Sequence, residues 1–139
     1  MIFILGDRAS NSGSHSVYVS RNNLDPIYNI NNASRTHAGI YIDIPAGATN
    51  INISFTWKGE GERNYDFMRV FMLDGNGNNQ VIIGESQYGG ESSWRTDIIN
   101  LPNSVAGTRR KFEFEWRNDG NTGSQTPFIM DDFKLKCNL

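Results

Sequence analysis

The feature that most limits what this chain can become is its spacing of apolar residues: they recur at every second position. Nowhere do they hold helical spacing for more than a turn or two. Ile51, Ile53, Phe55 and Trp57 share one side of an extended chain, with Asn52, Ser54, Thr56 and Lys58 on the other. Phe112, Phe114 and Trp116 alternate with Glu113, Glu115 and Arg117. One apolar and one charged side mark a strand in an antiparallel sheet wetted on one face. Met68, Val70 and Met72 alternate with Phe67, Arg69 and Phe71, and Ile40, Ile42 and Ile44 with Tyr41 and Asp43.

Shorter strands are expected at residues 2–5, Ser16–Ser20, 81–84, 94–99 and 128–136. Turn signals separate them: Pro45-Ala46-Gly47, Gly59-Glu60-Gly61, Asp74-Gly75-Asn76-Gly77, Gly89-Gly90 and Asp119-Gly120-Asn121. A single helical or 3₁₀ turn is expected within 102–107, and the longest loop over 22–34. About eight or nine strands without helices make an all-β antiparallel sandwich or barrel.

At 139 residues the chain suits one domain, 1–139, with a substantial core. A net charge of −2 offers no basic field for a phosphate backbone, which argues against nucleic acid as partner. No apolar run approaches a membrane span. The sole cysteine, Cys137, cannot form an internal disulfide and is expected as a free thiol near a frayed terminus. The opening Met1-Ile2-Phe3-Ile4-Leu5 reads as a strand rather than a signal peptide. The expectation is therefore a piece of a larger exported protein.

The order of motifs resembles a known family. Gly6 and the run Ser12-Gly13-Ser14-His15-Ser16-Val17-Tyr18-Val19-Ser20 are followed by Ala38-Gly39-Ile40-Tyr41-Ile42. Then come Ile53-Ser54-Phe55-Thr56-Trp57-Lys58-Gly59-Glu60-Gly61-Glu62 and Tyr65-Asp66-Phe67-Met68-Arg69-Val70. Ser93-Trp94, Leu101 and Ala106-Gly107 precede a close on Phe112-Glu113-Phe114-Glu115-Trp116-Arg117-Asn118-Asp119 and Phe128-Ile129-Met130-Asp131-Asp132-Phe133-Lys134-Leu135. This order is similar to the MAM-like jelly rolls of bacteria, the cleaved-adhesin and choice-of-anchor J domains, and more distantly to animal MAM domains. The resemblance implies a MAM-like, galactose-binding-like jelly roll at an extracellular, cell-surface or virion location. It implies adhesion, or binding of a glycan or of a host or bacterial surface protein, and no catalysis. The paired cysteines of animal MAM domains are missing, so no disulfide carries over.

In the last strand Ile129, Asp131, Phe133 and Leu135 fall in phase, which would put the Asp131 carboxylate on the core side. A buried carboxylate must be paired, hydrogen-bonded or bound to a cation. The resemblance implies a structural Ca²⁺, for which Asp131 and Asp7 are the candidate ligands. The alternative is an Asp bonded to backbone N–H groups or to an Arg, with Asp132 solvated. Asp74, Asn76, Asn78 and Glu85 match EF-hand ligand spacing, but Asn79 stands where that loop needs glycine, and an ordinary strand connection uses the same residues. The acidic loop Glu60, Glu62 and Asp66 is a further candidate for a cation or for sugar hydroxyls.

Aromatic residues off the core phase or near loops are the candidate ligand contacts: Tyr18, Tyr41, Tyr65, Tyr88 and Trp94. Trp57 and Trp116 belong to the core phase. His15 and His37 lie among polar residues, with no nucleophile elbow nearby. Two functions follow. The first is a non-catalytic adhesion or carbohydrate-binding module of a bacterial or phage surface protein. The second is an assembly domain of a phage tail or surface appendage, with Phe67, Phe71 and Met130 as its subunit interface.

Overall fold

The side chains Ile51, Ile53, Phe55 and Trp57 do form one wall of the core. A computed structural model describes residues 1–62, 64–121 and 126–139. Nine strands run in the order β1 (Ile2–Gly6), β2 (Ser16–Ser20), β3 (Ser34–Asp43), β4 (Thr49–Gly59), β5 (Phe67–Leu73), β6 (Val81–Tyr88), β7 (Glu91–Asn100), β8 (Arg109–Asn118) and β9 (Ile129–Asn138). A 3₁₀ turn at Asn103–Val105 is the only helical piece among the described residues.

The strands form two antiparallel sheets, β1-β2-β9-β4-β7 and β3-β8-β5-β6, packed face to face as a jelly-roll β-sandwich. Phe55 of the first sheet meets Phe114 of the second edge-on at 6.1 Å between ring centres. Tyr88 packs edge-on against Phe55 at 5.5 Å and Trp57 at 5.4 Å, and Phe128 stacks on Trp57 at 5.7 Å. These offset and edge-on contacts suit the ring quadrupoles and bridge the two sheets.

Most connections cross between the sheets, so loops collect at the two ends of the sandwich. At one end residues 44–48 and 101–108 are joined by hydrogen bonds from Ile44 N–H to Thr108 and from Gly107 N–H to Ile44. The other end gathers residues 21–33, 60–62, 64–66 and 119–121. The loop of 21–33 is the long connection expected over 22–34, and it carries the buried Tyr28.

Four expectations are corrected. Strand β6 continues to Tyr88 because Gly84, at φ +72°, absorbs a bulge and lets the Tyr88 hydroxyl close against it. Strand β9 carries a second bulge. Thr56 pairs with Asp131 but Ser54 with Lys134, so one extra residue enters at Asp132, which takes φ +54°. The bulge resets the phase. Met130, Phe133 and Leu135 face the core, and Asp131 lies on the outer face beside Thr56. Asp131 is thus out of phase with the core, contrary to the alternation read from the sequence. Phe67, Phe71 and Met130 form no exposed interface either, because all three are buried. The guanidinium groups of Arg117 and Arg69 cover the two phenyl rings, at 5.3 Å from Phe67 and 5.2 Å from Phe71. Cys137 sits within β9, partly buried against the core, rather than at a frayed end.

Candidate functional site

The outer face of the β3-β8-β5-β6 sheet follows from its register. Arg35 stands opposite Arg117, His37 opposite Glu115, Gly39 opposite Glu113, and Tyr41 opposite Lys111. On the far side of β8, Phe67, Arg69 and Phe71 stand opposite Arg117, Glu115 and Glu113. Alternation puts all of these side chains on the side away from the core.

Glu115 is the centre of this face. Its side chain is 5% exposed, yet it carries a charge. Arg69 donates from Nε (3.1 Å) and Nη2 (2.6 Å) to one oxygen, and His37 Nε2 lies 2.9 Å from the other. Burial pushes the Glu115 carboxyl up, but the bonds from Arg69 and His37 and the charges of Arg69 and Arg35 outweigh it. The group sits below its ordinary value. Beside it, Lys111 Nζ reaches Glu113 at 3.3 Å, its stem lying across Gly39, 2.7 Å from where a Cβ would stand. Glu115 and Glu113 are thereby held by basic neighbours.

The face ends in a cavity of about 450 Å³ walled by Ala33, Ser34, Arg35, Arg117, Asn118 and Asp119. Its floor is rigid. Asn118 is buried, donating to the carbonyls of Asn29 and Asn32 and accepting from the Ser34 hydroxyl. At the opposite end of the face Tyr41 is 43% exposed, with Arg109 at 5.0 Å and Lys111 at 5.6 Å from its ring centre.

Behind the cavity, three loops converge on Asp66. It is fully buried and accepts from the Tyr28 hydroxyl (2.7 Å), Glu62 N–H (3.3 Å) and Asp119 N–H (3.2 Å). Burial raises its carboxyl above the ordinary Asp value despite these donors. Glu62, Asp66 and Asp119 bring one oxygen each within 4.8 Å of one another. Oxygen donors of this kind suit a hard cation. Asp66 is already satisfied by three donors, so the group acts first as a clasp between loops.

The residues expected from the sequence fall in several places. Tyr18 and Tyr88 are buried and offer no face to a ligand, which corrects the expectation that they contact one. The Tyr18 hydroxyl donates to Leu24 O at 2.8 Å, and the Tyr88 hydroxyl accepts Glu85 N–H at 3.0 Å. Trp94 lies on the opposite sheet, partly buried, with Lys58 Nζ 5.0 Å from its ring centre. Tyr65 is 54% exposed in the loop that carries Asp66. Only Tyr41 belongs to the face centred on Glu115.

Asp131 does not fit a cation. Its Oδ2 accepts the N–H groups of Asn11 (2.8 Å) and Ser12 (2.9 Å), and its Oδ1 accepts Asp132 N–H at 2.8 Å. Positive N–H ends stand where a metal would need negative oxygens. Asp7 is exposed and joins no group of three metal-ligating side chains among the described residues. Asp132, expected in solvent alone, accepts from Asn11 Nδ2 and the Ser12 hydroxyl. Asp74 likewise spends its oxygens on Asn76 N–H, Asn78 N–H and Asn79 Nδ2, the bonding of a strand connection. Glu85, the last of that spaced set, pairs instead with Arg95.

Sequence reasoning did not single out Arg35, Arg69, Arg117, Tyr28 or Asp119. The alternation of β8 and β5 already turned Arg69, Glu115 and Arg117 outward. Their meeting depends on pairing strands some 46 positions apart, which no local pattern carries.

No protein-family profile and no curated protein matches this chain. Among solved structures it is similar to a CBM61 carbohydrate-binding module in complex with β-1,4-galactotriose. Identity is 16% and the TM-score 0.55, over 93% of this chain and 74% of that one. It is also similar to the CBM22-1 xylan-binding domain from Paenibacillus barcinonensis Xyn10C. There identity is 12% and the TM-score 0.52, over 97% of this chain and 80% of that one. At these identities the likeness is one of fold, and the fold is the jelly-roll sandwich.

Proposed function

We propose that this chain is a non-catalytic carbohydrate-binding module of an exported protein, and that its glycan lies across the outer face of the β3-β8-β5-β6 sheet. One observation carries the reading: Arg35, His37 and Tyr41 line β3 beside a row of tethered charges on β8. Arg35 and Tyr41 lie six positions apart along the strand, about 20 Å of track. Donors and acceptors already held by neighbours lose little freedom when a hydroxylated chain replaces water on them. Tyr41 adds an amphipathic ring at one end. The fold likeness to two carbohydrate-binding domains supports the same reading. A non-catalytic role agrees with the engagement of Glu115 by Arg69 and His37 and of Glu113 by Lys111. Kinship with MAM-like adhesins is a finer reading of the same sandwich, with a protein ligand in place of a glycan.

The test is a glycan array followed by titration of any hit. Tyr41→Ala and His37→Ala should each weaken binding about tenfold, while Trp94→Ala on the opposite sheet leaves it intact. Binding that follows Trp94 and ignores Tyr41 and His37 would place the site on the wrong face here. An empty array, with capture of a surface protein instead, would turn the reading to protein adhesion.

A further inference from the structure

Arg35 and Arg117 are direct partners across the β3–β8 ladder, both on the outer face. Like charges directly opposite each other are destabilising. The neighbourhood does little to offset them. Arg35 Nε reaches Glu115 only at 3.9 Å, and that carboxylate is already held by Arg69 and His37. Arg117 rests on the Phe67 ring and forms no ion pair among the described residues. Asp119, the acid on the same wall, accepts the N–H of Asn121 at 3.0 Å and belongs to the group around Asp66. Three guanidinium groups (Arg35, Arg69 and Arg117) stand around one buried carboxylate, Glu115, and of the three only Arg69 holds it closely. This happens in a chain whose net charge is −2.

Of these three, the two less compensated, Arg35 and Arg117, also wall the cavity of about 450 Å³. That volume lies in the range of small-molecule sites. A guanidinium presents a planar fork of donors that matches an oxyanion, and two arginines line this cavity. We infer that this cavity binds an acidic sugar through its anionic substituent, a carboxylate or a sulfate ester, so that the glycan of this module is an anionic polysaccharide. The inference rests on the glycan-binding reading above and names the substrate class at one end of the same face. Bound, the oxyanion relieves the repulsion between Arg35 and Arg117, while Asn118 and Ser34 supply a fixed polar floor.

The experiment titrates the whole chain with four probes: galacturonan oligosaccharides, the same oligosaccharides fully methyl-esterified, sulfated dextran fragments, and neutral galactan and xylan oligosaccharides. The free carboxylates should bind at least about tenfold more tightly than their esters, and the preference should shrink as salt rises from about 0.05 to 0.5 M. Arg35→Gln, whose side chain is 54% exposed, should keep the fold and lose most of that preference. Arg117→Lys keeps charge but not the fork, and should fall between wild type and Arg35→Gln. Sulfated fragments binding alone, with the same dependence on Arg35, would assign the oxyanion as sulfate and uphold the inference. Equal binding of esterified and free oligosaccharides, or acid-selective binding untouched by both arginine variants, would overturn it and leave the glycan-binding reading standing. No binding to any probe would remove both.

Discussion

Arg69 clasps Glu115 with two donors on a single oxygen, at 3.1 and 2.6 Å, on the outer face of a sheet whose opposite face is the core. The two residues lie 46 positions apart and face each other across the β5–β8 ladder. The pair keeps Glu115 ionised, and Arg69 in turn covers Phe71. A charged face and a dry one therefore share the same strands.

Removing one partner of such a pair leaves the other uncompensated. Glu115→Gln should cost about 3 kcal/mol, at the low end for a buried pair because Arg69 keeps some contact with water. The stabilisation from a lowered carboxyl is full above its unfolded value, about 4.3, and is lost as pH falls through the lower folded value. Urea midpoints measured from pH 7 to pH 3 should therefore converge for wild type and Glu115→Gln at the acid end. Equal midpoints at pH 7 would contradict the assignment.

Asp66 works with the opposite sign. Its carboxyl is raised in the folded protein, so the folded state takes up that proton before the unfolded chain does. Its own contribution to stability grows as pH falls through the raised value toward the ordinary Asp value. Asp66→Asn should flatten this part of the profile. Tyr28→Phe removes the hydroxyl donor and should cost about 1–3 kcal/mol. Hydrogen exchange should then quicken in the loops carrying Tyr28, Glu62 and Asp119 together, and a change confined to one loop would argue against the clasp.

Asp131 holds the β1–β2 loop to the bulge of β9 through N–H donors. Asp131→Ala should cost about 1 kcal/mol, since the exposed N–H groups of Asn11 and Ser12 can turn to water. The loss in melting temperature should be the same in excess Ca²⁺ and in chelator. A loss seen only in Ca²⁺ would restore the metal reading of this residue.

Gly84 has no room for a side chain. An added Cβ would lie 2.2 Å from the Tyr88 hydroxyl and 2.6 Å from Ile99 Cδ1, at φ +72°. Gly84→Ala should destabilise by about 2–3 kcal/mol through strain and overpacking. Tyr88→Phe in the same background should recover part of the loss. Failure to recover any would mean the backbone angle alone sets the cost.

Chemical reasoning on the sequence reached the sandwich itself. The inward faces of β4, β5 and β8 were legible because alternation is a local property of extended backbone. So were the turns, where Gly and Asn supply positive φ without help from the rest of the chain. Tyr41 was legible as an exposed ring for the same reason. Tyr18 and Tyr88 were misread, since being off a strand's apolar phase or beside a loop does not reveal that other segments bury the ring.

What alternation could not decide was register. One extra residue at Asp132 turned Asp131 from the core side to the outer face, and whether a strand bulges depends on its partner. Phe67 and Phe71 looked like a sticky patch until pairing with β8 and packing laid Arg117 and Arg69 over them. The Arg35–Arg117 cavity and the clasp on Asp66 join residues from loops and strands far apart in the chain. The sequence determined which sides of its strands are greasy and where the chain turns, because those follow from one residue's geometry and its near neighbours. Only the tertiary structure decided which charges meet, because that depends on strands paired and loops gathered across most of the chain's length.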